Sequence, residues 1–276
     1  MQSRKENMPL LVCQLVSLVM LVIMVNYIMV SADTNKLSKH RELSQTNKTE
    51  PIDSTGKNHT EYEDPFKIGL NPERNYLILV NKDHPFEFNG EYDKSLQKDL
   101  IFVSNVHGDP VQIEKGTYLA FSLLRKHLSE SEGIDIDLYD CYHSKKEQEW
   151  YSEQNTGFDS NTTTDNPIDI PGYSERHTGL LLQIKVRQPL GETGKEVWTT
   201  ELFESQSDNP YFQKVHENLA QYGFILRYPN HKEAITGSPY RPYEIRFVGS
   251  SEVAQSITNN QLCLEEYLAN IEKYNK

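Results

Sequence analysis

Cysteine is scarce in this 276-residue chain: Cys13, Cys141 and Cys263 are the only three, with no Cys-x-x-Cys pair or other metal-knuckle spacing. A Cys141–Cys263 disulfide stays open at this level, because spacing alone does not fix geometry. Positive charge is in deficit, with 28 Lys and Arg against 40 Asp and Glu and a net charge of −12. That balance argues against a nucleic-acid binder, which carries a basic patch. No Gly-x-Ser-x-Gly elbow is present, so a nucleophilic serine of that type has no support. No internal repeat is evident either. Aromatic residues are plentiful, sixteen Tyr and ten Phe, which is enough to build a core.

Long apolar runs are confined to the N-terminus. Residues 9–30 are almost wholly apolar, interrupted by Gln14, Ser17 and Asn26. A helix crosses about 30 Å of hydrocarbon with about 20 residues, so this run is long enough to span a membrane. Arg4 and Lys5 precede it and favour a cytoplasmic tail at 1–8. We read an uncleaved anchor; the alternative is a signal peptide cut near Ala32, after which the domain would be secreted. Residues 31–64 are polar and read as a disordered tether. The sequons at Asn47, Asn58 and Asn161 have meaning only in a eukaryotic secretory pathway.

The folded domain is expected over residues 65–276. Tyr76 to Lys82, YLILVNK, reads as a buried strand or core segment. Gly116 to Leu128 places Leu119, Ala120, Leu123, Leu124 and Leu128 at helical spacing, and Gly133 is a natural stop. Ile134, Ile136 and Leu138 alternate with acids as in a half-buried strand. Asp159 to Asp169 and Ser205 to Asn209 read as polar loops. Near the C-terminus, GSPYRPYEIRFVG from Gly237 to Gly249 reads as a turn and then a strand, with Tyr243, Ile245 and Phe247 alternating with Glu244, Arg246 and Val248.

Several segments in order resemble VanY-type D-alanyl-D-alanine carboxypeptidases, zinc peptidases of the bacterial cell wall. Asp140-Cys141-Tyr142-His143-Ser144 with Gln148 stands where the family has Ser-Gly-Tyr-Arg-Ser and a Gln. Pro171-Gly172-Tyr173-Ser174-Glu175-Arg176, running through Gly179-Leu180 to Gln183, resembles Pro-Gly-x-Ser-Glu-His with a later Asp. Gly223 to Pro229 and Tyr240 to Gly249 continue the likeness, and Leu262 to Leu268 resembles the closing helix. The resemblance implies an α+β fold of the D-Ala-D-Ala carboxypeptidase (Hedgehog/peptidase-like) type, an antiparallel sheet flanked by helices.

It also implies where the chemistry should be. Arg176, Gln183 and Glu244 occupy the zinc-ligand positions, and Arg241 occupies that of the catalytic glutamate. His143 stands where an Arg helps hold the substrate's carboxylate. An arginine has no lone pair to give a metal, and an amide oxygen is a poor substitute for a carboxylate on zinc. We therefore expect no catalytic residue and no zinc cofactor of the family's kind, and hydrolysis by that mechanism to be lost. In place of the metal, Arg176 is expected to hydrogen-bond Glu244 with Gln183 as a further acceptor, unless the side chains simply point to solvent.

Tyr142, His143, Ser144, Gln148, Ser174 and Tyr240 are the candidate binding residues. Bland roles compete for three of them: Tyr142 as a core aromatic, Ser144 as a helix N-cap with Glu147, Ser174 as a loop hydrogen-bonder. A relocated metal site among His143, His177, Cys141, Asp140 and Glu244 is disfavoured, since His177 reads as a surface polar residue facing away from Arg176. The expected function is a catalytically impaired homologue at the envelope, binding peptidoglycan stem peptides or an envelope protein. The alternatives are an active peptidase with an altered site, or a structural or regulatory membrane partner.

Overall fold

The computed structural model of the chain describes residues 70–155, 170–190, 195–199 and 209–274. The expected anchor at 9–30, the expected tether, all three sequons and most of the two polar loops lie outside these residues. Among the described residues, no helix is long and apolar enough to cross a membrane.

The elements follow from local sequence. Helix α1, Glu91–Asp99, leads into a hairpin of β1, Leu100–Ser104, and β2, Pro110–Glu114, in the register Leu100 to Glu114. Helix α2, Lys115–His127, begins where the Glu114 carboxylate accepts the Thr117 N–H at 2.6 Å, a side-chain N-cap. Its apolar stripe, Leu119, Ala120, Leu123 and Leu124, is buried as the spacing predicts. A wide turn, Leu128–Glu132, ends at Gly133, whose φ of 66° is the left-handed conformation a glycine adopts without a Cβ penalty.

Strand β3, Ile136–Asp140, comes next, then α3, Lys145–Asn155, and a 3-10 turn, Glu175–Thr178. Strands β4, Leu181–Leu190, and β5, Lys195–Thr199, precede α4, Pro210–Leu219, capped by Asn209 with Pro210 in the first turn. A 3-10 turn at Ala220–Tyr222 joins α4 to β6, Phe224–Leu226. The last elements are α5, Glu233–Thr236; β7, Glu244–Phe247; α6, Ser251–Asn259; and α7, Leu264–Tyr274.

Five strands form one antiparallel sheet in the order β3-β4-β7-β6, with β5 paired to the far half of β4. The architecture is α+β, with antiparallel sheets and helices packed against them. One face of the large sheet carries Leu138, Leu182, Ile184, Ile245 and Phe247 into the main core, where α2 and α4 bury their apolar sides. The opposite face is unusual: Glu244 and Arg246 alternate with that apolar set, yet both are fully buried. Alternation alone suggests a half-solvated strand, whereas here the 170–180 segment covers the polar face and supplies opposite charges.

Of the two readings of Tyr76–Lys82, strand or core segment, the second holds: Val80 is buried and no strand forms. The segment's backbone is held by other means: the Leu77 N–H bonds the Asn75 side chain at 3.0 Å, and Ile78 O accepts from Arg246 Nη2 at 3.0 Å. Cys141 and Cys263 are both free and buried, and burial pushes the Cys263 thiol up to about 12.

Candidate functional site

Sheet register assembles the site. Gln183 on β4 pairs with Asp140 on β3 on one side and with Glu244 on β7 on the other. Directly opposed residues project from the same face, so three polar side chains from three strands stand in one row. A bulge between Leu138 and Asp140 brings Asp140 into that row, opposite Gln183.

Arg176 reaches onto the row from the 3-10 turn. Its Nη2 donates to Gln183 Oε1 at 2.9 Å and to Glu244 Oε1 at 2.8 Å, and its Nη1 lies 3.2 Å from Asp140 Oδ2. The expected Arg176–Glu244 bond is therefore made, with Asp140 as a further partner. Burial lowers the tendency of a guanidinium to stay charged, but Asp140 and Glu244 outweigh it and raise the Arg176 pKa. For Asp140, burial works upward while Arg176 and His143 work downward, leaving the carboxyl at about 2. Arg241 closes the far end, its Nη1 3.4 Å from the same Glu244 oxygen and its guanidinium 5.9 Å from the centre of the Tyr228 ring. Glu244 Oε2 and Ser174 Oγ are buried without a hydrogen-bond partner.

The other candidates divide around this row. His143 lies at the near end: Nε2 is 2.9 Å from Asp140 Oδ1, Nδ1 is 3.1 Å from Gln148 Oε1, and the ring stacks on Tyr151 at 5.0 Å. Tyr142 is buried in a satellite cluster with Val80, Phe86 and Leu96, and its hydroxyl accepts from Gln97 at 2.9 Å. Ser144 makes a capping box: its N–H and Oγ bond the Glu147 carboxylate at 2.8 and 2.7 Å, and the Glu147 N–H returns to Oγ at 3.3 Å. Tyr240 is half-buried, two residues before Pro242.

His177 corrects the reading of it as a surface residue. It lies in a 3-10 turn, not an extended strand, and is wholly buried against Phe86 and Phe88. Nδ1–H donates to His143 O at 2.7 Å, while Nε2 accepts the Gly172 N–H at 3.1 Å. That pattern fits a neutral imidazole, and burial lowers its pKa accordingly.

One residue up the turn, Glu175 heads a second cluster. Its two oxygens accept from Arg246 Nε and Arg227 Nε, all three side chains being fully buried. Arg227 then grips Glu265 of α7 at 3.0 and 2.7 Å through its two Nη atoms. Sequence reasoning missed the charge pairing of Glu175, Arg227 and Arg246, and the part Asp140 plays. The signal was there in two arginines set among apolar residues, Arg227 just after β6 and Arg246 within β7. A half-open cavity of about 550 Å³ near α4, β6 and α6 is lined by none of the candidate residues.

A catalytic zinc site takes lone pairs from three protein atoms and leaves the fourth position to water. Arg176 has none to give, its N–H groups already engage the other two positions, and Arg241 adds a second positive charge at the same oxygen. These residues do not fit a zinc ion. Among the described residues no three His, Cys, Asp or Glu side chains gather as a metal site.

Residues 111–250 match the family model VanY: D-alanyl-D-alanine carboxypeptidase. The chain belongs to the VanY family. It is 31% identical over 203 residues to YodJ of Bacillus subtilis (strain 168), covering 74% of this chain and 70% of that protein. It is 29% identical over 197 residues to the bifunctional D-Ala-D-Ala dipeptidase and D-Ala-D-Ala carboxypeptidase VanXYC of Enterococcus gallinarum, covering 70% and 93%. Among solved structures, the LD-carboxypeptidase LdcB superposes with a TM-score of 0.56 at 28% identity, over 71% of this chain and 86% of that one. The LdcB structure is described as revealing the molecular basis of peptidoglycan recognition.

Proposed function

We propose that this chain is a VanY-family member that binds peptidoglycan stem peptides without hydrolysing them by the zinc mechanism. It acts at the cell envelope, anchored through residues 9–30 with the domain facing outward. The observation that carries the reading is the bonding of Arg176 to Gln183 and Glu244 at 2.9 and 2.8 Å, in the positions that the resemblance assigns to the metal's ligands. A divalent cation entering there would meet two guanidinium groups and would have to break both bonds before finding a donor. With no metal, no bound water has its pKa lowered toward 7. The general-base position is held by Arg241, which cannot take up a proton.

The relatives supply the ligand class. VanXYC is a D-Ala-D-Ala dipeptidase and carboxypeptidase, and Pro171, Gly172, Ser174, Glu175, Gly179 and Leu180 around the site match the pattern of the resemblance. The test is D-alanine release from a peptide ending in D-Ala-D-Ala, using the purified full-length chain with added zinc and with a chelator. No release is expected in either condition, together with saturable peptide binding by calorimetry. Turnover that the chelator abolishes would sink this reading in favour of an active peptidase with an altered site.

A further inference from the structure

Resting on the stem-peptide reading above, we propose that the site holds a peptide by its C-terminal carboxylate at Arg241, and that the preferred ligand is a stem already trimmed by a carboxypeptidase. The residue aligned with a carboxylate-holding arginine is His143, but both of its ring nitrogens are engaged, with Asp140 at 2.9 Å and Gln148 at 3.1 Å. An anion arriving there would have to displace Asp140, itself a carboxylate. Arg176 is buried: its Nη2 is committed to Gln183 and Glu244, and its Nη1, which makes no hydrogen bond, lies 3.2 Å from Asp140 and has no room for a second anion. Arg241 differs. It is half-buried, and among the described residues its one polar side-chain contact is the 3.4 Å approach to Glu244 Oε1. Most of its donor fork is free for the bidentate grip that suits a carboxylate.

Beside it, Glu244 Oε2 is buried and has no donor. A ligand that brings a carboxylate together with an amide N–H satisfies Arg241 and Glu244 at once, and the last residue of an N-acylated peptide is such a ligand.

His143 and Arg241 stand at opposite ends of the chain of contacts His143–Asp140–Arg176–Glu244–Arg241. Moving the carboxylate anchor from one end to the other shifts the peptide along the site. A general base must lie within hydrogen-bond reach of the water that attacks the scissile carbonyl. A carboxylate bound where that base would stand is therefore the new C-terminus that cleavage leaves, and the reaction that supplies this ligand is removal of one C-terminal residue by a carboxypeptidase.

The experiment uses the full-length protein and three acyl peptides of one sequence: ending in a single D-Ala acid, in D-Ala-D-Ala acid, and in a single D-Ala amide. Calorimetry should show the single D-Ala acid binding at least tenfold tighter than its amide and several-fold tighter than the longer acid. Arg241→Gln, at a half-buried position, should erase the acid–amide difference. Equal binding of acid and amide, tighter binding of the longer acid, or discrimination that survives Arg241→Gln would each overturn the proposal while leaving stem-peptide binding standing. If none of the three peptides binds, the stem-peptide reading falls and takes this one with it.

Discussion

Glu175 and Arg176 are neighbours in sequence, and each heads a buried charge cluster on the same face of one sheet. Glu175 meets Arg246 of β7 and Arg227 just after β6; Arg176 meets Glu244 of β7, Gln183 of β4 and Asp140 of β3. The turn thus lays an acid and a base over the alternating base and acid of β7. The two clusters differ in how completely they are satisfied. Around Glu175, the carboxylate is shared by two arginines, and the second of these is fixed again by Glu265. Around Arg176, Glu244 keeps one oxygen without a partner, and Arg241 approaches only to 3.4 Å. The first cluster reads as scaffold holding α7 and the 170–180 segment to the sheet. The second keeps spare polar atoms, Glu244 Oε2 and Arg176 Nη1.

The strongest way to break this contrast is Glu175→Ala, which takes the carboxylate from fully buried Arg246 and leaves fully buried Arg227 with Glu265 alone. Losing one partner of a buried ion pair costs about 3–5 kcal/mol. Glu175→Ala should reach the top of that range or prevent folding, as read by urea unfolding of the purified protein. Arg176→Met should cost less, about 3 kcal/mol, because Glu244 keeps Arg241 nearby. Adding Glu244→Leu to Arg176→Met should recover most of that loss, since an apolar pair of similar volume is often no worse than a buried ion pair. A double variant no more stable than Arg176→Met alone would mean the clamp acts through something besides charge pairing.

The smallest effect is pH-dependent and comes from Asp140. Its folded value of about 2 lies below the ordinary value of about 3.9. A depressed carboxyl adds stability that is present above the unfolded value and is lost as pH falls toward the folded one. With its side chain a quarter exposed, the contribution should be about 2 kcal/mol, disappearing between about pH 4 and pH 2. The difference in unfolding free energy between wild type and Asp140→Asn should shrink across that window, and a constant difference would contradict the assignment.

Much of the frame was legible from local pattern. The stripe from Leu119 to Leu128, the stop at Gly133 and the alternation through Leu138 each rest on sequence-local physics, and each has its element. For YLILVNK the choice between strand and core segment was not legible, because it turns on contacts such as that of Ile78 O with the Arg246 side chain, 168 residues away. The gathering of Asp140 with Gln183 and Glu244 depends on a register and a bulge that no single segment encodes. His177 shows the same limit: its burial depends on Phe86 and Phe88, about ninety residues earlier. The Arg176–Glu244 bond was legible because residue chemistry at three resembling positions left a cation, an amide and an anion.

That bond changes the molecularity of closing the site. A metal that links strands must arrive from solution, so the last step of such a fold depends on how much free ion is present. Arg176 and Glu244 are 68 residues apart on one chain. Their meeting is unimolecular, set by the entropy of closing a loop of that length, which grows only slowly with length. Every copy of the chain carries its own clasp, and the sheet closes at a rate that no ion supply governs.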